Sequence, residues 1–234
     1  MSIKKIITGL ALSLLLSSGV AVAADYDSAY STYQSGNYEA ALKEMLPFAE
    51  QGNVDAQFYI ARMYDYGEGV PENDKTAVKW YTKAAEQGYF RAQFALGVMY
   101  ANGKGVPEND KTALKWYTLA AEQGHAGAQF NLGNIYDRGE GVPENDKTAV
   151  SWLTKAAKQG NADAQGNLGV LYAKGSGVLT DTKRAYMWFN LGSYNGNEIS
   201  GENKDKIAKN MTPADISKAQ DMSSRCLESN YTDC

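Results

Sequence analysis

Residues 69–74 read Gly-Val-Pro-Glu-Asn-Asp, and the same six residues return at 105–110 and 141–146, 36 positions apart each time. Recurrence at a fixed period marks a repeat architecture and has to be read before any single motif. In the first copy Gly67 and Gly69 can adopt backbone angles closed to other residues, and Pro71 blocks continuation of a helix. The hexamer is therefore a helix stop followed by a helix start. Asp74, Asp110 and Asp146 are expected to cap the next helix and to favour its positive end. Asp181 is expected to keep that role in a fourth copy, "GVLTD" at residues 177–181, which has lost the proline.

Outward from the hexamer, four segments of 36 residues run without a gap: 54–89, 90–125, 126–161 and 162–197. Each opens with Ala-Gln (Ala56-Gln57, Ala92-Gln93, Ala128-Gln129, Ala164-Gln165). An aliphatic residue follows four places after the alanine (Ile60, Leu96, Leu132, Leu168) and a tyrosine four places later (Tyr64, Tyr100, Tyr136, Tyr172). That spacing is one stripe of an amphipathic helix. After the hexamer a second helix is predicted on Ala77, Trp80, Ala84 and Ala85, ending at Gly88. Trp116, Trp152 and Trp188, with Gly124 and Gly160, are the counterparts. Alanines permit close helix approach, and the tyrosine and tryptophan are expected to fill the space between neighbours. One such helix pair cannot bury its apolar face alone, so stability must come from stacking, and the expected fold is an all-α solenoid.

A repeat reading Ala-x-x-x-Leu-Gly-x-x-Tyr-x-x-Gly-x-Gly-Val, then Ala-x-x-Trp-Tyr-x-x-Ala-Ala-x-x-Gly, resembles the Sel1-like repeat, a relative of the tetratricopeptide repeat. The resemblance covers residues 54–197 and implies a right-handed superhelix of antiparallel helix pairs. Residues 24–53 resemble a shortened leading repeat, with Ala41, Phe48 and Ala49 over Ala77, Ala84 and Ala85. Residues 198–234 are expected to form a helical cap, with amphipathic segments near Glu202–Lys209 and Thr212–Glu228. In the second segment Thr212, Pro213 and Asp215 form a start signal, and Ile216, Ala219, Met222, Cys226 and Leu227 line one face.

The first residues have Lys4 and Lys5, an apolar run from Ile6 to Leu16, then Ala21-Val22-Ala23, the order of a secretory signal cleaved after Ala23. The run is shorter than the roughly 18 residues a spanning helix needs. Without residues 1–23 the chain's 23 basic residues fall to 21 against 27 acidic ones, a net charge of −6. An acidic exported chain is a poor nucleic-acid binder, and no other stretch is apolar enough to span a bilayer. The expected location is periplasmic or secreted. There the only two cysteines, Cys226 and Cys234, are expected to pair, since two sulfurs without a nearby histidine leave a zinc site half built.

Candidate chemistry is sparse. The one histidine, His125, stands where other repeats have Tyr89, Asn161 and Asn197, and is read as a solvent-facing turn. Glu72, Asp74, Glu108, Asp110, Glu144 and Asp146 form an acidic ladder explained by capping and solvated loops. The resemblance raises an alternative, because cysteine-rich members of the Sel1-like group are associated with penicillin binding and β-lactamase activity. Residues 54–197 contain no cysteine, and Ser-x-x-Lys occurs only at Ser2–Lys5, inside the signal. No cofactor, metal or catalytic residue is expected.

What remains is the surface that first helices line, the concave wall of a solenoid. Three, six and ten places after each opening alanine the copies disagree. The residues are Tyr59, Arg62 and Tyr66; Ala95, Val98 and Asn102; Asn131, Asn134 and Arg138; Asn167, Val170 and Lys174. Tyrosine and arginine are enriched at binding hot spots, which directs attention to the first set. The expected function is a non-catalytic adaptor, a monomer rather than an oligomer, that binds a protein or peptide on this face.

Overall fold

The computed structural model describes residues 26–234, which contain helices and turns and no strand. The predicted signal, residues 1–23, lies outside the described residues. The helices are α1 (26–34), α2 (Tyr38–Glu50), α3 (Val54–Tyr66), α4 (Asp74–Glu86), α5 (Phe90–Ala101) and α6 (Asp110–Glu122), followed by α7 (Ala126–Arg138), α8 (Asp146–Ala157), α9 (Ala162–Lys174), α10 (Thr182–Tyr194), α11 (Glu198–Ala208) and α12 (Pro213–Glu228). They fall into two compact units, residues 26–92 with 104–107, and residues 93–103 with 108–234. In the first, α2 packs on α3 and α3 on α4. In the second, α6 to α10 each pack on the next helix, and α10 also packs on α11 and α12. Neighbours in sequence are neighbours in space, as the solenoid class requires.

The repeated loop has a closing hydrogen bond and a lock. At the end of α7, Gly139 takes a left-handed conformation (φ 69°) and its N–H donates to the Ile135 carbonyl. The chain then returns so that the Asn145 N–H donates to the carbonyl of Tyr136 at 2.8 Å. Asn73 to Tyr64, Asn109 to Tyr100 and Asp181 to Tyr172 repeat this bond at 2.8, 2.9 and 3.0 Å. The lock is the second glycine. Gly105 (φ 72°) lies so close to the start of α4 that an added Cβ would sit 2.6 Å from the Asp74 carbonyl carbon and oxygen. Gly69 on Tyr38, Gly141 on Asp110 and Gly177 on Asp146 make the same approach to the second helix of the preceding repeat. The hexamer is respelled because each copy registers one repeat on the last.

The caps lie one residue earlier than expected. Oδ1 of Asn73, Asn109 and Asn145 accepts the N–H of Thr76, Thr112 and Thr148 at 3.0, 2.9 and 3.0 Å. Asp74, Asp110 and Asp146 instead begin the helix, where their charge favours the positive end of the dipole. Asparagine wins because its side chain reaches the third residue on while its own backbone stays outside the helical region. Asp181 does cap α10, accepting from the Arg184 N–H at 3.0 Å. His125 is also a cap rather than a plain turn. Its Nδ1 accepts from the Ala128 N–H at 3.1 Å and its ring stacks on Phe94 at 4.3 Å. Asn53 and Asn161 do the same work for α3 and α9.

The interior differs from expectation at the tryptophans. Trp188 is buried, but Trp80, Trp116 and Trp152 are only half-buried, with Lys83, Lys115 and Lys155 over their rings. The residue that fills the space between the helices is the next one, Tyr81, Tyr117, Leu153 or Phe189. Each of the last three presses on the glycine of the Leu-Gly pair, so that a Cβ at Gly97, Gly133 or Gly169 would lie 2.5 Å from Tyr117, Leu153 or Phe189. The glutamine of Ala-Gln is buried as well. Gln129 Nε2 donates to the Ala121 carbonyl at 3.0 Å, and its Oε1 accepts from Gln159 at 2.8 Å. Gln57 with Ala49 and Gln87, and Gln165 with Ala157 and Asn195, repeat this bridge, so one side chain ties three consecutive helices.

The carboxyl end closes the core of the second unit. α11 begins at Glu198, earlier than expected, because Asn197 caps it through the Ser200 N–H at 2.7 Å. Thr212 caps α12, as its start signal predicts. Cys226 is buried among Leu153, Trp188 and Leu191 and forms a disulfide with Cys234. Between them the chain turns back through Asn230 and Tyr231, and the Tyr231 hydroxyl meets Asn195.

Candidate functional site

In the first unit α1 is a tyrosine helix. Tyr26, Tyr30 and Tyr33 fall on one face by helical spacing, and the face packs on α2 and α3. Tyr59 meets Tyr30 and Tyr33 at centroid distances of 5.0 and 4.8 Å, and its hydroxyl lies 3.2 Å from that of Tyr30. Burial, with the Tyr30 hydrogen bond adding to it, pushes the Tyr59 phenol up to about 12. Tyr59 is therefore a neutral hydrogen-bonding group at physiological pH, and α1 covers much of it.

Arg62 and Tyr66 are placed differently. The Arg62 guanidinium lies over Tyr33 at 5.9 Å and Tyr66 at 5.6 Å, and its Nη2 is 3.6 Å from Glu68 Oε1. Glu68 Oε2 also accepts from the Tyr33 hydroxyl at 3.0 Å, and burial raises that phenol further above its ordinary range. The guanidinium is thus held on an aromatic bed. Its buried Nε has no hydrogen-bond partner, whereas Tyr66 is 66% exposed at the end of α3. Arg62 and Tyr66 together offer a fixed cation, a phenol and an open aromatic face. Those groups are suited to recognition by stacking and hydrogen bonding.

The first unit also contains Lys104, which sequence reading passed over. Its ammonium group lies 2.8 Å from Asp65, 3.3 Å from Asp74 and 3.6 Å from Glu72. The hydrogen bond to Asp65, opposed by partial burial and reinforced by Asp74, holds it above the usual lysine range. This ion network joins the loop of one repeat to the acids of the one before.

In the second unit the expected first-helix residues divide. Asn134 Oδ1 accepts from Asn167 Nδ2 at 2.7 Å, so these two are brought together on α7 and α9. Burial pushes the Tyr117 phenol up to about 12, opposed by the nearby Asn131 amide. Asn102 is exposed and folds back on the Val98 carbonyl at 2.8 Å. Arg138 pairs with Glu140 at 3.4 Å, and Lys174 is exposed in the last turn of α9. Ala95, Val98 and Val170 are half-buried. The amide groups are largely engaged within the chain, and the exposed groups are Asn102, Arg138 and Lys174.

Among the described residues no three His, Cys, Asp or Glu side chains form a group able to hold a metal ion, and no helix is long and apolar enough to cross a membrane. Sequence reading missed Tyr30 and Tyr33 as neighbours of Tyr59, although the Tyr26, Tyr30, Tyr33 spacing was a legible helical stripe.

Comparison with known proteins gives a consistent result. The profile of the Sel1 repeat matches residues 54–89, 90–125, 126–161 and 162–197. A protective antigen of uropathogenic Escherichia coli strains displaying an SLR fold superposes with a TM-score of 0.80 at 36% identity, covering 90% of this chain and 47% of that one. A Sel1 repeat protein from Oxalobacter formigenes superposes with a TM-score of 0.70 at 38% identity, over 74% of this chain and 71% of the other. An exopolysaccharide production negative regulator of Rhizobium meliloti is 40% identical over 53 residues, 23% of this chain and 20% of that protein. The chain thus spans about half of the Escherichia coli protein (47%) and a fifth (20%) of the Rhizobium one.

Proposed function

The chain belongs to the Sel1 repeat family, and on that premise we propose that it is a non-catalytic scaffold of the cell envelope that binds another protein, or a peptide segment of one, on its first-helix face. Sel1-repeat proteins generally mediate protein–protein interaction. The observation that carries the reading is the pair Arg62 and Tyr66. They stand at positions where the repeats diverge, one held over Tyr33 and the other open to solvent, while the recurrent residues around them close loops and fill the interior. Recurrent residues make the same contacts in each repeat and cannot by themselves encode a partner. A disulfide suits an oxidising compartment, and the predicted signal agrees with that location.

The test uses the chain as bait against an envelope extract, with the recovered partner then titrated against variants. The double change Arg62→Ala and Tyr66→Ala is expected to weaken the partner at least about tenfold, or 1.4 kcal/mol, with the helical circular dichroism signal unchanged. Affinity equal to the parent's would overturn the assignment. Tyr59 is left intact in this variant, because removing it would also strip packing from Tyr30 and Tyr33.

A further inference from the structure

Asn195 departs from the pattern of the glutamine bridges. Gln87 and Gln159 each donate from Nε2 to the buried glutamine of their own repeat and to the carbonyl of a helix-ending glycine, Gly52 at 3.1 Å and Gly124 at 2.9 Å. Asn195 is one methylene shorter. It keeps the bond to Gln165 at 2.8 Å, and a residue from the carboxyl end completes the corner. The Tyr231 hydroxyl lies 2.8 and 3.0 Å from the two amide atoms of Asn195, and its ring is the nearest group to a Cβ added at Gly160, at 3.7 Å. Lys158 Nζ adds a hydrogen bond to the Thr232 carbonyl at 3.2 Å.

The segment that reaches this corner is held against its own backbone preference. Asn230 (φ 49°) and Tyr231 (φ 65°) are the only non-glycine residues with positive φ among the described residues. Such conformations are unfavourable and persist where the surroundings over-determine them, a pattern found at switch regions. Here the covalent constraint is the disulfide, which joins Cys234 to Cys226 and closes a short loop. The two sulfurs differ in access. Cys226 is buried, whereas Cys234 is half-buried and lines a cavity of about 170 Å³ with Arg184, Arg225 and Asp233. Two guanidinium groups against one carboxylate favour a thiolate over a thiol, so the cavity suits attack by a small thiol on Cys234.

We propose that residues 229–234 are a redox-sensitive strap, closed on the corner of Gly160 and Asn195 while the disulfide is intact and released from it by a dithiol reductant. In the opening step a thiolate of the dithiol attacks Cys234 Sγ, and the bond to Cys226 breaks with Cys226 taking a proton. The second thiol of the reagent then loses its proton and attacks the mixed disulfide, which frees Cys234 as a thiol and leaves the reagent as a disulfide. Two electrons and two protons pass to the cysteine pair. The left-handed turn then relaxes and Tyr231 leaves Asn195. α12 keeps its place, since its buried Ala219 and Ser223 and its Thr212 cap lie outside the closed loop. The strap does not depend on the assignment of Arg62 and Tyr66.

Amide exchange followed by NMR tests this on the full chain, oxidised and after incubation with dithiothreitol under native conditions. In the oxidised chain the Tyr231 amide, which donates to the Cys226 carbonyl at 2.7 Å, is expected to exchange slowly. After reduction, confirmed by a count of two free thiols, it should exchange at least tenfold faster, with the amides of Ala219 and Met222 in α12 unchanged. Cys234→Ser, at a half-buried position, should show the fast exchange without reductant and no further response to it. The proposal is overturned by a disulfide that resists dithiothreitol in the folded chain, by a Tyr231 amide as protected after reduction as before, or by loss of protection throughout α12, which would make the disulfide a staple of the helix.

Discussion

Gly105→Ala is expected to destabilise the chain by about 3–5 kcal/mol. Two penalties combine. A non-glycine residue at φ 72° is strained in its own backbone, and the new Cβ would lie 2.6 Å from the carbonyl carbon and oxygen of Asp74. Those atoms are backbone at the start of α4, so no side chain can rotate away to make room. For a chain of this size the loss corresponds to a fall in melting temperature of roughly 10 °C, read by circular dichroism. Gly88→Ala provides the control, because nothing lies within 4 Å of its added Cβ and only the backbone strain at φ 89° remains. A Gly105→Ala chain that melts with the Gly88→Ala chain would show that the loop does not lock one repeat on the last.

Tyr117→Ala should cost roughly 3–5 kcal/mol, the range for emptying a buried aromatic site, and Trp116→Ala clearly less. Sequence pattern favours the reverse order, since tryptophan is the larger residue and recurs in all four repeats. The geometry assigns the roles differently. Tyr117 is 4% exposed, rests on Gly97 and packs on Phe94, while Trp116 is half-buried with Lys115 beside its ring. Chemical denaturation of the two variants gives the order. Equal losses would return Trp116 to the interior.

Period, helix order and loop position were legible because each rests on local chemistry. Proline and glycine end helices, and alanine, leucine and tyrosine at spacings of four define a buried stripe, so α3 to α10 could be placed from the residues alone. Choices between adjacent residues were less legible. Asn73 and Asp74 are both good caps, and only the non-helical backbone at Asn73 (φ −151°, ψ 89°) decides between them. Trp116 and Tyr117 differ by one helical step, about 100° of rotation, and the direction of the neighbouring helix settles which one faces inward. The glutamine bridges were invisible for another reason. A polar residue in a recurring motif reads as surface until the carbonyl it satisfies, Ala121 for Gln129, is known to end the adjoining helix. For the candidate site, divergence between copies found Arg62 and Tyr66. Their setting depends on α1, which lies outside the 36-residue period.

Which face meets a partner is read directly by site-specific photocrosslinking. A benzoylphenylalanine in place of Tyr66 keeps an aromatic ring at an exposed position on the first-helix face, and one at Lys79 places the same group on an exposed second-helix position of the same unit. Irradiated in cells that express the chain, the position 66 variant is expected to form a discrete adduct with another protein, and the position 79 variant none. Adducts at position 79 with none at position 66 would contradict the account and move the working surface to the second helices.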